Sequence, residues 1–165
     1  LNLSKLEAGE MELSPESIPF ADEVRETAEL FAPQAEEAGI DLRVYTPDES
    51  LRGYVDPGGL RIVLRNLISN ALKYTEDGVV CVRAERQNGV AIIEVEDTGI
   101  GMNPDEASAL FEAFRQESEG IAREYEGSGL GLAVTKRVVD QMDGSIDVET
   151  EKGKGSCFTV SLPTP

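Results

Sequence analysis

The stretch from Asp56 to Lys73 constrains this chain more than any other. Asp56-Pro57 sets a capping carboxylate before a proline whose missing N–H costs nothing at the first helical position. Leu60, Val63, Leu64, Leu67, Ile68, Ala71 and Leu72 then repeat at helical spacing over about four turns, giving one continuous apolar face. A helix so patterned has to be covered by something. The cover is written in segments that alternate apolar and polar residues. Val79–Arg86 and Val90–Glu96 flank Asn88-Gly89, a dipeptide suited to a two-residue hairpin turn. Ile40–Thr46 alternates as well, as do Ile146 with Val148 and Phe158 with Val160 and Leu162, the last two segments being joined through Gly153-Lys154-Gly155.

Two further helices fit this frame. Phe20, Val24, Ala28 and Phe31 repeat at helical spacing within Phe20–Ala38, which Gly39 ends. Leu130–Met142 is a second core helix, stopped near Gly144. The sum predicts an α+β fold, a two-layer α/β sandwich with a mixed, mostly antiparallel sheet of about five strands covered on one face by about three helices. Ser14-Pro15 and Ile18-Pro19 mark an extended approach to the first helix. Before them, Leu3, Leu6, Met11 and Leu13 stand among charges, interrupted by Gly9, as at the end of a longer helix followed by a linker. The predicted division is residues 1–14 as helix end and linker, and 15–165 as one domain.

Composition narrows the chemistry. The chain has no histidine, so it contains no Ser–His–Asp triad, no histidine metal site and no phospho-accepting histidine. Cys81 and Cys157 each sit in an apolar, β-branched stretch and read as small core residues on strands; nothing completes a metal set around them. A net charge of −17 argues against broad nucleic-acid affinity. Five lysines stand against 32 acids, which fits either a host living in high salt or a generally acidic, soluble surface. No apolar run approaches the length of a membrane span, and no basic-then-apolar leader opens the chain, so a cytoplasmic domain without direct membrane contact is expected, whatever a longer parent carries.

Three segments carry polar chemistry. Asn66, Asn70 and Lys73 lie one turn apart beside the apolar face of the Asp56–Lys73 helix. Asparagine prefers caps to helix interiors, so either a polar ligand docks there or the face is simply solvated. Asn70 offers an amide oxygen suited to Mg²⁺, Lys73 can reach a phosphate, and Tyr74 can lie along a purine. Asp97-Thr98-Gly99-Ile100-Gly101 follows a hydrophobic strand: a carboxylate there can accept from an exocyclic amine, and glycines let backbone approach a flat ring, although an ordinary turn accounts for the pattern equally well. Glu126-Gly127-Ser128-Gly129-Leu130-Gly131-Leu132 runs into a helix and can present amide N–H groups to phosphate, which eases the problem of a polyanion meeting an acidic protein. It is not a dinucleotide or Walker loop, since no βαβ strand precedes it and no Walker lysine follows.

In this order, with Phe111-x-x-Phe114-Arg115 between the second and third segments, the sequence resembles the ATP-binding catalytic domain of sensor histidine kinases, in the superfamily that includes DNA gyrase B, Hsp90 and MutL. Asn66–Thr75 resembles the family's N box, Asp97–Gly101 its G1 box, Phe111–Arg115 its F box and Gly127–Leu132 its G2 box. Gly153-x-Gly155-Ser156 resembles its last glycine element, and Leu1–Gly9 the end of the dimerisation helix that precedes the domain. The resemblance covers residues 15–163 and implies the Bergerat-type ATP-binding fold.

It further implies that Asn70 holds Mg²⁺, that Lys73 and Arg115 approach the phosphates, and that Tyr74 packs on the base. Asp97 would read the adenine amine, Gly99, Ile100 and Gly101 would line the ring, and Ser156 would contact it through water. Gly127, Ser128, Gly129, Leu130, Gly131 and Leu132 would shape a cover over the triphosphate, with Phe114–Tyr125 as a lid that is disordered without nucleotide. ATPase relatives place a water-activating glutamate four residues before the metal asparagine; Asn66 stands there and cannot take a proton at neutral pH. The resemblance therefore implies transfer of the γ-phosphoryl group to a histidine on an upstream dimerisation domain, with a response regulator as the indirect partner. It also implies a monomeric fragment of a homodimeric parent. A clamp-type ATPase or an anti-sigma-like serine kinase of the same superfamily is the alternative.

Overall fold

A computed structural model describes residues 13–103, 105–106, 108–109 and 129–165, with backbone alone at 129–131. Along the chain run β1 (Glu16–Pro19), α1 (Phe20–Ala38), β2 (Asp41–Tyr45), β3 (Arg52–Val55), α2 (Pro57–Lys73), β4 (Val79–Gln87), β5 (Val90–Asp97), α3 (Gly129–Gln141), β6 (Ser145–Glu151) and β7 (Gly155–Leu162).

The helix predicted from Asp56-Pro57 forms for the reason given. One Asp56 oxygen accepts the Gly59 N–H at 2.8 Å, and the other accepts the Ser14 N–H at 3.0 Å, so one carboxylate caps α2 and also anchors the start of the described chain. α1 ends at Gly39, whose φ of 73° lets its N–H turn back onto the carbonyls of Ala35 and Glu36.

The main sheet has the order β2-β4-β5-β7-β6. Only β2–β4 is parallel; β3 and α2 supply the long crossover that a parallel pair needs. Its other pairings are antiparallel, and β4 turns into β5 at Asn88-Gly89, with φ of 51° and 81° at the two turn residues. β1 and β3 form a separate two-stranded antiparallel sheet, beyond the extended approach read from the sequence.

One face of the main sheet is the core. Val80, Val82, Ile93, Val95, Phe158 and Val160 point to the helices and meet Leu60, Leu64, Leu67 and Ile68 of α2, Val24 of α1, and Leu132, Val138 and Val139 of α3. This matches the predicted two-layer sandwich: five strands under three helices among the described residues.

The cysteines depart from expectation. Both lie on strands, but Cys81 alternates with buried Val80 and Val82, and Cys157 with buried Ser156 and Phe158, so both thiols sit on the outer, polar face and are half-buried. Their neighbours there are charged: Glu96 pairs with Cys81 on one side and Cys157 on the other, and Arg83 bridges to Glu96 at 2.7 Å and to Glu94 at 3.5 Å. Alternation alone does not say which face of a strand is inside. Partial burial, with Glu94 and Glu96 close by, pushes the Cys157 thiol up to about 11. Iodoacetamide at pH 8 should therefore alkylate Cys157 in the folded chain at least about 100-fold more slowly than in the urea-unfolded chain, as read by peptide mass spectrometry, because only the thiolate reacts. Equal rates in the two states would contradict this assignment.

Candidate functional site

At one end of the core face the apolar rows of the sheet give way to polar residues. Asp97 of β5 pairs with Ser156 of β7, and Ser156 pairs with Thr150 of β6, a polar row across three strands. The preceding row on the same face, Val95–Phe158–Val148, is apolar. The C-terminal half of α2 lies over this end and contributes Asn70, Ala71 and Tyr74 to a narrow cleft. Asp97, Gly101, Met102, Ser156 and Phe158 complete it. Asn70, Asp97 and Ser156 are each only 7% exposed, which is unusual for polar side chains and marks the cleft as a built polar site.

The carboxylate of Asp97 accepts the Gly99 N–H at 2.9 Å. Burial pushes its pKa above the ordinary carboxylate range; N–H groups of Gly99 and Ser156 offset this in part, and neighbouring Glu96 adds to the rise. The loop after Asp97 is held on both sides. Ile100 N–H donates to Tyr74 O at 3.0 Å, and Ile100 O accepts from Gly153 N–H at 2.6 Å. Gly101 has φ 65°, and a Cβ there would stand 2.0 Å from Glu151 O, so only glycine permits this approach to the β6–β7 hairpin.

Larger recesses lie elsewhere. One of about 510 Å³ reaches Asp97 and Ser156 from the outer face, but Glu96, Glu149 and Glu151 line it against the single cation Lys154, a net negative setting that disfavours anions. Another of about 450 Å³, between α1 and β2, contains none of the predicted site residues. The cleft at Asn70 has room for about 20 Å³, roughly one water.

The model of the histidine kinase-, DNA gyrase B- and HSP90-like ATPase family matches residues 55–165, which hold α2, the Asp97 loop and the β6–β7 hairpin. The chain belongs to this ATPase family. Among its curated relatives, the autoinducer 2 sensor kinase/phosphatase LuxQ of Vibrio parahaemolyticus is 38% identical over 170 residues, covering 99% of this chain and 20% of that protein. The sensor histidine kinase GacS of Pseudomonas protegens is 40% identical over 174 residues, covering 100% of this chain and 19% of that protein. The chain thus spans about a fifth of these relatives. Among solved structures, full-length ShkA in complex with AMPPNP superposes with a TM-score of 0.83 at 35% identity, over 97% of this chain and 33% of that one. The nucleotide-free catalytic domain of histidine kinase ThkA gives 0.77 at 26% identity, over 94% of this chain and 100% of that one.

Of the residues predicted for this ATPase-family site, the fold brings Asn70, Tyr74, Asp97, Gly101 and Ser156 to one cleft. Asn66 is half-buried one turn before Asn70, and Lys73 is exposed in the last turn of α2. Gly99 acts through its N–H on Asp97, and Ile100 is 54% exposed, holding the loop by its backbone. Leu132 is 1% exposed and packs in the core, so its side chain supports the fold and does not line the cleft. Gly129, Leu130 and Gly131 form the first turn of α3, so the helix begins inside the glycine-rich segment. Arg115, Gly127, Ser128, the Phe111–Arg115 element and the Phe114–Tyr125 lid lie outside the described residues, as does Leu1–Gly9. Met102 and Phe158 line the cleft without having been predicted to: Phe158 reads only as an apolar strand position, and Met102 carries no signal. Thr150 stands behind the lining, paired with Ser156; it breaks the apolar run Ile146, Val148 on the inner face of β6, and that break is a usable signal of a polar end to the sheet.

Proposed function

We propose that this chain binds ATP with magnesium in the Asn70–Asp97–Ser156 cleft and holds it for transfer of the γ-phosphoryl group to a histidine supplied by another segment. The observation that carries the reading is the helix turn from Asn66 to Asn70. It puts a carboxamide, which cannot take a proton from water, where the ATP-hydrolysing members of the superfamily would need a general base. The chain has no histidine of its own, so the acceptor must lie outside these residues.

Each wall of the cleft has a part to play. The Asp97 carboxylate keeps acceptor capacity beyond the Gly99 N–H and takes the N–H of the adenine amine. Met102, Phe158 and Tyr74 offer apolar surface to the ring. Phosphates extend toward Lys73 and the amide N–H groups of the first turn of α3, with Arg115, Gly127 and Ser128 expected to join them. Among the described residues no cluster of three acidic, cysteine or histidine side chains could cage a metal. One carboxamide oxygen from Asn70, completed by phosphate oxygens and water, fits the way Mg²⁺ is usually held. Bound there, the ion neutralises phosphate charge. Transfer then needs mainly positioning from the protein.

The partners follow from this reading: an upstream dimerisation domain bearing the histidine and, through it, a response regulator. A cytoplasmic location goes with this reading of the function. Among the described residues no helix is long and apolar enough to cross a membrane. The chain alone is a monomer and its parent a homodimer, with residues 1–14 as the junction.

Calorimetry with ATP, with and without Mg²⁺, tests the reading. The wild-type chain should bind ATP more tightly with Mg²⁺, release phosphate slowly, and acquire no label from γ-³²P-ATP. Asn70→Ala should lose the magnesium-dependent gain while melting close to the wild type. Brisk phosphate release would favour the clamp ATPases, and an undiminished magnesium effect in Asn70→Ala would remove Asn70 from the metal site.

A further inference from the structure

The polar row Asp97–Ser156–Thr150 contains one residue with no role so far. Thr150 sits behind Ser156, half-buried, and does not line the cleft. Its hydroxyl oxygen accepts the Met102 N–H at 2.7 Å, which ties the loop after Asp97 to β6. The same oxygen stands 2.7 Å from Ser156 Oγ and 3.2 Å from the Gly155 carbonyl.

A hydroxyl has one proton to give. If Thr150 gives it to the Gly155 carbonyl, Ser156 must direct its own proton at Thr150 to keep their 2.7 Å contact, and only lone pairs face the cleft. If Thr150 donates to Ser156 Oγ, the Ser156 proton is released toward the cleft. At 3.2 Å the Gly155 carbonyl lies beyond the ordinary O–H···O range, so it is a poor acceptor for the Thr150 proton; Ser156 Oγ at 2.7 Å is the better one, which favours the second arrangement. The cleft then presents an acceptor, Asp97, beside a donor, Ser156, on cross-strand partner residues. Adenine offers the complementary edge, an exocyclic amine beside a ring-nitrogen acceptor, reached directly or through one water. A 6-oxopurine offers the reverse, an oxygen acceptor beside a ring N–H.

We infer that Thr150 is a positioning residue for base selection: it orients the Ser156 hydroxyl as a donor and fixes the Met102 backbone at the cleft wall. The inference rests on the nucleotide reading above and goes one step further, to which residue sets the polarity of the base edge.

The test compares ATP with inosine triphosphate, by calorimetry, for the wild type, Thr150→Val and Thr150→Ser. Thr150→Val keeps the side-chain shape and loses the hydroxyl; it should bind ATP about tenfold more weakly, the effect of one hydrogen bond, and inosine triphosphate about equally well, so the preference for ATP drops about tenfold. Thr150→Ser should restore the wild-type preference. Loss of packing alone would lower both affinities together, so an unchanged ratio in a folded Thr150→Val overturns the role. Should Thr150→Val not fold, Thr150→Ala carries the same comparison; if neither folds, Thr150 is structural and the inference fails. A wild-type chain that binds neither nucleotide overturns the ATP reading and this inference with it. Wild-type ATP binding that Asp97→Asn weakens and Thr150→Val does not overturns the Thr150 role alone.

Discussion

Asp97→Asn should bind ATP about 30- to 150-fold more weakly than the wild type while melting at the same temperature or slightly higher at neutral pH. The loss corresponds to about 2–3 kcal/mol, the range for a hydrogen bond to a charged group whose replacement leaves a donor facing a donor. The stability side follows from the direction of the Asp97 shift. Its folded-state pKa is raised, chiefly by burial, so the folded chain holds the proton more readily than the unfolded chain. A group of this kind contributes most favourably to stability in acid, and that contribution is lost as pH rises through the folded-state pKa. At neutral pH the wild type therefore bears the desolvation of a buried carboxylate, which the neutral amide does not. Between about pH 4 and neutrality two trends should oppose each other in the wild type: ATP affinity falls as the solution is acidified and the acceptor is protonated, while the stability gap to Asp97→Asn closes or reverses. Calorimetry and thermal melting over that range check both. Parallel loss of affinity and stability in Asp97→Asn would mean that the carboxylate serves the fold and not the ligand.

A large stability effect is expected at Gly155. Its φ is +123°, and a Cβ there would stand 2.1 Å from Asp97 O and 3.1 Å from Thr98 Cα, both backbone atoms of the neighbouring strand end. Backbone cannot step aside as a side chain can, so Gly155→Ala has to spread β5 from β7 at the residue that carries the site carboxylate. Strain of this kind costs about 1–3 kcal/mol before the pairing itself is counted, and a total near 3 kcal/mol lowers the melting temperature of a domain this size by about 6–12 °C. Gly89→Ala is the internal comparison. Gly89 also has positive φ, +81°, but nothing lies within 4 Å of its would-be Cβ, so its cost is the left-handed backbone alone, about 1–2 kcal/mol. Equal melting temperatures for the two variants would show that the close approach at Gly155 relaxes freely.

Much of this is legible in the sequence alone. The capped, one-faced helix α2, the Asn88-Gly89 hairpin and the alternating C-terminal strands are local patterns, and local patterns are what period and turn chemistry report. Asn70, Tyr74, Asp97, Gly101 and Ser156 could be grouped because their segments resemble a known family; spacing alone does not show that residues so far apart in the chain meet in one cleft. What escaped was non-local or two-faced. β1 and β3 have four residues each and are defined by pairing with one another across the whole of α1 and β2. The parallel pairing of β2 with β4 leaves no mark in the sequence of either strand. Cys81 and Cys157 obey the alternation but sit on its other face. Leu132 belongs to a glycine-rich motif by position and to the core by side chain, and the helical period was the better guide to it.

The hairpin of β4 and β5 closes over a turn of two residues, whereas β5 meets β7 only after a long excursion through α3 and β6. Closing the second loop costs more chain entropy, and pairings of that kind slow folding. Asp97 thus precedes its partners Thr150 and Ser156 by more than fifty residues of chain. β7 is the last strand of the sheet in chain order, so the Asp97–Ser156–Thr150 row is completed only when the C-terminal hairpin joins a sheet whose other strands already exist.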